Sequence, residues 1–409
     1  MVRRRVTTGR LLAIGTAAAS AMLMMPQGAE AAQVASGPVW TLQTPAQPAG
    51  ATSSSLTGVS CPAVGACMAV GEFEGNGNPF AAFADQWNGS TWTIETLPNA
   101  LSSDINSVSC VSMTDCVAVG EIAVGLHGDL AALALQWNGT TWTAMTIPSL
   151  KVAVHTFLNA VSCPSATSCT AVGYYQRQGR GYSLKQPRLL VERWNGSTWT
   201  IRKAPEPSGT TTAQLNAVSC KSPRSCVAVG NTGPIGGTAP DPQMYAETWN
   251  GSGWASQAPS SPSGSASSDL YGVSCPAATA CTAVGYYMVG TTQYSAAESW
   301  NGTAWTAQTT PNPNPDPQTD YPLGGVSCHK TTSCLAVGTY FTIPAEVAQS
   351  ASWNGRTWAG QDPGVPPGAT QDNLATVSCP AVNNCVTVGD YINPSNGDSI
   401  MMAGLYAKS

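Results

Sequence analysis

The chain has 409 residues, only 10% of them charged, and a formal net charge of −5. That balance offers no basic footprint and excludes nucleic-acid binding of the usual electrostatic kind. Fourteen cysteines and thirteen tryptophans against five phenylalanines point instead to a repeat-built, oxidised β protein.

Taken in order, the chain opens with Arg3, Arg4, Arg5 and Arg10 before an apolar run from Leu11 to Met25. Ala29-Glu30-Ala31 then offers a small-x-small cleavage site. Residues 1–31 read as a secretory signal peptide cut after Ala31, so a secreted, extracellular protein is expected. The arginines suggest a twin-arginine signal, although Thr7 and Thr8 stand where apolar residues are wanted. The run is too short and too rich in Ala and Thr to span a bilayer well, and no later segment is more apolar, so no membrane insertion is expected after cleavage. No cysteine lies near the cleavage site, which removes a bacterial lipoprotein.

Val39 to Pro45 reads as one strand, and the segment it should complete is missing in front of it. Six full copies of one repeat follow, starting near residues 56, 105, 158, 215, 270 and 323, with a seventh start near 374. The copy at 270–311 shows the unit. Leu270 to Cys275 and Cys281 to Gly285 are short, partly alternating runs around a five-residue loop and read as two strands. Ala296 to Trp300 is the third, and Trp305 opens the fourth, which Pro311 stops. Between them Asn301-Gly302 is a strong hairpin signal, because a type I′ turn needs positive φ at both central residues. Alternation puts Trp300 and Trp305 on one face whether the turn has two or four residues; in the longer register they oppose each other directly. The unit is a four-stranded antiparallel meander that cannot bury both faces alone, so neighbouring copies must stack.

The seventh copy ends after its third strand, Ile400 to Tyr406, with Tyr406 in the first Trp position. Residues 39–45 supply what it lacks. An open solenoid would want polar caps instead. The expected domain is therefore 32–409, an all-β, seven-bladed β-propeller with four-stranded antiparallel blades, the last closed by the N-terminal strand.

The cysteines fall into seven Cys-x5-Cys pairs: Cys61–Cys67, Cys110–Cys116, Cys163–Cys169, Cys220–Cys226, Cys275–Cys281, Cys328–Cys334 and Cys379–Cys385. Each joins the end of the first strand to the start of the second, where opposed residues lie within disulfide range, so one disulfide per blade is expected. Zinc would favour shorter spacings and a second ligand pair.

Strand order puts the uniform Cys-x5-Cys loops and Asn-Gly turns on one face, and long variable loops such as Gln176–Pro187, Thr232–Gln243 and Asn312–Pro322 on the other. Binding belongs on the variable face. The residue after the Val-Gly of the second strand enters this face and reads Glu72, Glu121, Tyr174, Asn231, Tyr286, Thr339 and Asp390 around the ring. Asp390, Glu72 and Glu121 come from adjacent units and form an acidic arc beside Tyr174, with Asn106, Asn159, Asn216 and Tyr271 near the channel mouth. Such an arc could hold a hard cation such as calcium, or hydrogen-bond and stack on a sugar; no other cofactor is expected. Solvated loop residues are the plain alternative.

Enzyme signatures are sparse. His127, His155 and His329 occupy non-equivalent positions in different units, and no Gly-x-Ser-x-Gly elbow or phosphate loop occurs. Only the acidic arc could serve a carbohydrate-active enzyme, a glycoside hydrolase or lyase. The reading leans to a non-catalytic, monomeric binding protein whose partner is a glycan or an extracellular protein.

The pattern VSCPxxxxCxAVG…WNGxxWT over residues 39–409 resembles the repeats of secreted actinobacterial propeller proteins, which implies the fold and says little about activity. It is distantly similar to kelch blades, with one glycine where kelch has two. Gly89 to Trp92 looks like half of a sialidase Asp-box, but Trp87 stands where the Asp should be. Neither a sialidase arginine set nor a galactose-oxidase copper set is present, so neither activity transfers.

Overall fold

The computed structural model describes residues 38–408 except 76–77, 99–101, 126–127, 181–182, 235–241, 312–321, 343–344 and 365. The expected signal peptide, His127 and most of the loop after Pro311 lie outside the described residues.

The described residues hold 28 strands and no helix. Units one to seven occupy residues 51–95, 103–144, 155–201, 210–257, 267–308, 323–361 and 372–408, the last joined by Pro38–Gln43. Each is a four-stranded antiparallel meander. Where seven sheets were expected, the hydrogen-bonded sheets among the described residues number six, because units two and three share one eight-stranded sheet. A single parallel bridge joins them, His155 to Leu130, at which the Leu130 N–H donates to His155 Nδ1 at 3.1 Å.

The unit at 267–308 shows how sequence becomes strand. Ser267–Ala277 and Ala280–Val289 are longer than their hydrophobic cores, and Ala277 pairs with Ala280, so the five-residue loop expected there is a two-residue turn. The third strand, Thr292–Trp300, pairs with the second as far as Val289–Thr292, so in this unit the loop between them is short too. Trp300 opposes Trp305 directly, with ring centroids 5.4 Å apart, and the other five Trp pairs repeat the four-residue register. The turn is not type I′. Gly302 alone takes positive φ, at 97°, while Asn301 Oδ1 accepts from the N–H groups of Thr303 and Ala304 at 2.9 Å. The asparagine acts through its side chain, which caps the loop.

Each first strand carries a β-bulge immediately after its Leu or Ile, as between Leu270 and Gly272. The bulge turns one extra residue towards the centre. It also drives the preceding carbonyl onto the glycine of the second strand. A Cβ on Gly285 would lie 2.0 Å from the Asp269 carbonyl oxygen, and the six equivalent glycines meet the same obstacle at 1.9–2.2 Å.

All fourteen cysteines form the seven expected disulfides, with Cα atoms 4.0–4.1 Å apart. The same segment ties each unit to the next. Cys110 N–H donates to Ser60 Oγ, Cys163 to Ser109, Cys220 to Ser162, Cys275 to Ser219, Cys328 to Ser274 and Cys379 to Ser327, all at 2.9–3.0 Å. The set returns from unit seven to unit one, where Cys61 N–H donates to Ser378 Oγ at 2.9 Å. The serine of the Val-Ser-Cys motif is thus a connector. Replacing one by alanine should cost about 1 kcal/mol, the net worth of a partly buried hydrogen bond, so Ser219→Ala is expected to lower the urea midpoint with an unchanged slope.

Pro38–Gln43 pairs with Ser399–Lys408 from Pro38–Lys408 to Gln43–Ala403, with Trp40 opposite Tyr406 at 5.1 Å between centroids. The orphan N-terminal strand therefore completes the sheet of unit seven, as its sequence position suggested.

Candidate functional site

Residues of the first strand of all seven units line one cavity of about 200 Å³. Its rim is built by the bulge residues Thr57, Asn106, Asn159, Asn216, Tyr271, Gly324 and Ala375, one per unit. Over the first four units the rim is stitched shut. Thr57 Oγ1 donates to the Ile105 carbonyl at 2.6 Å, Asn106 to Leu158 at 3.1 Å, Asn159 to Leu215 at 2.8 Å and Asn216 to Leu270 at 3.0 Å. At Gly324 and Ala375 there is no hydrogen-bonding side chain to continue the relay. The space left there forms a pocket of about 500 Å³ that shares Tyr271, Gly324 and Ala375 with that cavity. Gln293, Thr339, Phe341, Glu346 and Asn373 also line it. Tyr271 is 37% and Phe341 40% exposed, so two aromatic faces are presented to solvent.

The pocket is flanked by two polar groups. On one side Asp269, only 4% exposed, accepts from Asn216 Nδ2 at 3.0 Å and Asn231 Nδ2 at 2.7 Å. Burial pushes its carboxyl up to about 7 in spite of these donors. The rings of Tyr271 and Tyr286 lie 5.7 Å apart, and the Tyr271 phenol is pushed up by burial and by the charge of Asp269.

On the other side lies the acidic arc. Thr339 donates to Asn373 Oδ1, Asn373 Nδ2 donates to Asp390 Oδ1 at 3.3 Å, and Ser399 donates to Asp390 Oδ2 at 2.7 Å. Glu72 shares a hydrogen bond with the carboxyl of Asp104; burial, that bond and the charges of Asp104, Glu74 and Asp390 push it up to about 7. Glu121 is pushed up to about 7 by burial and by Asp104 and Glu72, against a 2.8 Å bond from Asn106 Nδ2. Tyr174 stands beside Glu121 and is raised by burial and that charge. Glu72 and Glu121 therefore keep a proton to higher pH than ordinary carboxylates do.

The structure thus divides the expected residues into two clusters, Glu72, Glu121, Asp390 and Tyr174 on one side, Asn231, Tyr286 and Tyr271 on the other. Sequence reading missed Asp104, Asp269 and Asn373. Each immediately precedes the Leu or Ile of a first strand and pairs with a residue that was found: Asp104 with Glu121, Asp269 with Tyr286, Asn373 with Asp390. Reading that antiparallel partner would have found them. Gln293, Phe341 and Glu346 carried no repeat signal. Among the described residues no group of three or more His, Cys, Asp or Glu side chains is placed to hold a metal ion, and His155 and His329 lie apart from the mouth.

No protein-family model and no curated protein matches the chain. Solved structures do. The chain is similar to YCF48 bound to D1 peptide, at 12% identity and a TM-score of 0.50 over 90% of this chain and 97% of that one. It is similar to an ulvan lyase of polysaccharide lyase family PL25, at 9% identity and a TM-score of 0.52 over 89% and 96%. It is also similar to the GH74 xyloglucanase from Xanthomonas campestris, at 14% identity and a TM-score of 0.50, over 88% of this chain and 54% of that one. One of these neighbours is bound to a peptide and two are carbohydrate-active enzymes, and at such identities the likeness speaks for architecture alone: the chain has a β-propeller-type fold.

Proposed function

We propose that the seven units close into one seven-bladed propeller that is secreted and binds a glycan at the pocket beside its central cavity. Closure is supported by the Ser–Cys hydrogen bonds that run through every unit and return to the first. Export is supported by seven disulfides, which need an oxidising compartment to persist. What carries the binding reading is the pocket of about 500 Å³ in which Tyr271 and Phe341 stand among Gln293, Thr339, Glu346 and Asn373. A sugar ring offers an apolar C–H face to aromatic rings and hydroxyls to amides and carboxylates, and this lining supplies both.

The test is a glycan array followed by calorimetry on the best ligand. Tyr271→Ala and Phe341→Ala are each expected to weaken binding about ten-fold, the loss of one aromatic platform. Retention of no glycan, or unchanged affinity in the double variant, would remove the proposal; capture of an extracellular protein with the same sensitivity would move it to a protein ligand.

A second reading, a carbohydrate-active enzyme, is favoured by one observation: Glu72 and Glu121 are both held near 7, a useful value for a general acid. Turnover on the same glycans that disappears in Glu121→Gln would favour the enzyme.

A further inference from the structure

The repeat supplies its own reference for what should fill each unit. Four residues before the first Trp position, the units carry Phe83, Leu133, Leu190, Tyr245, Ala296, Gln349 and Met402. Two residues before it stand the buried acids Asp85, Glu192, Glu247 and Glu298 in units one, three, four and five. In unit four, Tyr245 is 3% exposed. Its Oη lies 2.8 Å from Glu247 Oε1, 2.7 Å from Ser256 Oγ and 2.6 Å from the Pro205 carbonyl oxygen. One phenol thus fills the space and gives the buried carboxyl a partner.

Unit five keeps the acid and loses the rest. Glu298 is 1% exposed and its Oε2, like Glu247 Oε2 in unit four, has no hydrogen-bond partner; what unit five lacks is the phenol. Ala296 stands where unit four has Tyr245, and Ala307 pairs with Glu298 as Ser256 pairs with Glu247. The result is a cavity of about 250 Å³ lined by Ala296, Glu298, Ala307, Pro262, Tyr287 and Tyr294. Tyr287 and Tyr294 stack across the strands, 5.2 Å between centroids and 19° between planes, and make a flat aromatic wall. An enclosed apolar cavity of about 150 Å³ is enough to hold benzene, so there is room here for one substituted ring. The cavity is separate from the mouth, since Tyr294 and the mouth residue Gln293 are consecutive on one strand and point to opposite faces.

We propose that this cavity binds a small hydroxylated aromatic ring, a phenol, in the place that Tyr245 occupies in the preceding unit. The ring lies between the Tyr287–Tyr294 wall and Ala296, and its hydroxyl reaches the carboxyl of Glu298. The missing side chain defines the ligand: a ring for the space, and a hydroxyl for the buried carboxyl that the Tyr245 phenol meets in unit four.

The probe is p-cresol, titrated into the full mature chain and followed by ligand-observed NMR, with toluene as the ring without the hydroxyl. Saturable binding of p-cresol is expected, with toluene at least about ten-fold weaker, because the toluene complex leaves the carboxyl unpaired. Ala296→Tyr rebuilds the unit-four arrangement and should abolish p-cresol binding. Should that variant fail to fold, Ala296→Leu, which copies unit three, fills the same space and should abolish binding equally. No binding of p-cresol, equal affinity for the two rings, or wild-type binding by a folded cavity-filling variant would overturn the proposal.

Discussion

Gly285→Ala is expected to destabilise the protein by about 3 kcal/mol, the upper end of what one added carbon costs in a packed interior. Its Cβ would lie 2.0 Å from the Asp269 carbonyl oxygen and 2.8 Å from the Leu270 Cα. Both obstacles are backbone, so no side chain can turn aside. The cause is the bulge after Leu270, which presses one strand against the next at the point where the chain reaches the mouth. Gly290 is the control: its φ is 61° but nothing stands within 4 Å of an added carbon. Gly290→Ala should cost only the left-handed backbone penalty of about 1 kcal/mol. Urea unfolding of the two variants measures the difference. Equal losses would mean that the second-strand glycine is there for backbone freedom rather than for closeness.

The second large effect is a stability that falls as the solution becomes alkaline. Burial pushes Asp85 and Glu298 up to about 7 and Glu192 and Glu247 to about 8, and the mouth adds Glu72, Glu121 and Asp269 at about 7. In the unfolded chain such groups titrate near 4. Between about 4 and about 8 the folded state therefore binds more protons than the unfolded one. Linkage then makes stability decrease with rising pH across that window and level off above it. One fully raised carboxyl contributes a slope of about 1.4 kcal/mol per pH unit. Denaturation midpoints at pH 5 should exceed those at pH 8. Glu192→Gln, which cannot ionise, should flatten the slope and be the more stable protein at pH 8. A midpoint that rises from pH 5 to pH 8 would contradict the assignment of these acids as protonated.

Much of this architecture could be read from residues. The Cys-x5-Cys spacing gave every disulfide, the Trp-x4-Trp spacing put both indoles on one face while leaving a two- or four-residue turn open, and the lone strand at Trp40 found its partner at Tyr406. These features depend on what is present in each copy. Others depend on geometry that letters do not display. The Asn-Gly pair looked like a type I′ turn, but the asparagine side chain accepts two backbone hydrogen bonds and leaves only the glycine at positive φ. The bulge is silent in sequence, because Tyr271 reads as one more alternating position until Leu270 and Gly272 are found paired with consecutive residues. The mouth was half legible: side chains after Val-Gly were found, their cross-strand partners were not. The pocket itself was hidden because it arises from what Gly324 and Ala375 lack, and a missing side chain is informative only against copies already superposed.

The pairing of Pro38 with Lys408 has a mechanical consequence. The two strands run antiparallel and Pro38 and Lys408 form the last rung at one end of the ladder, so tension applied across those residues pulls on one rung at a time. A fastening of this kind peels under low load, where strands drawn lengthwise past each other would resist together. A pull on one of the two residues alone spares the seam, and a pull across both opens it rung by rung.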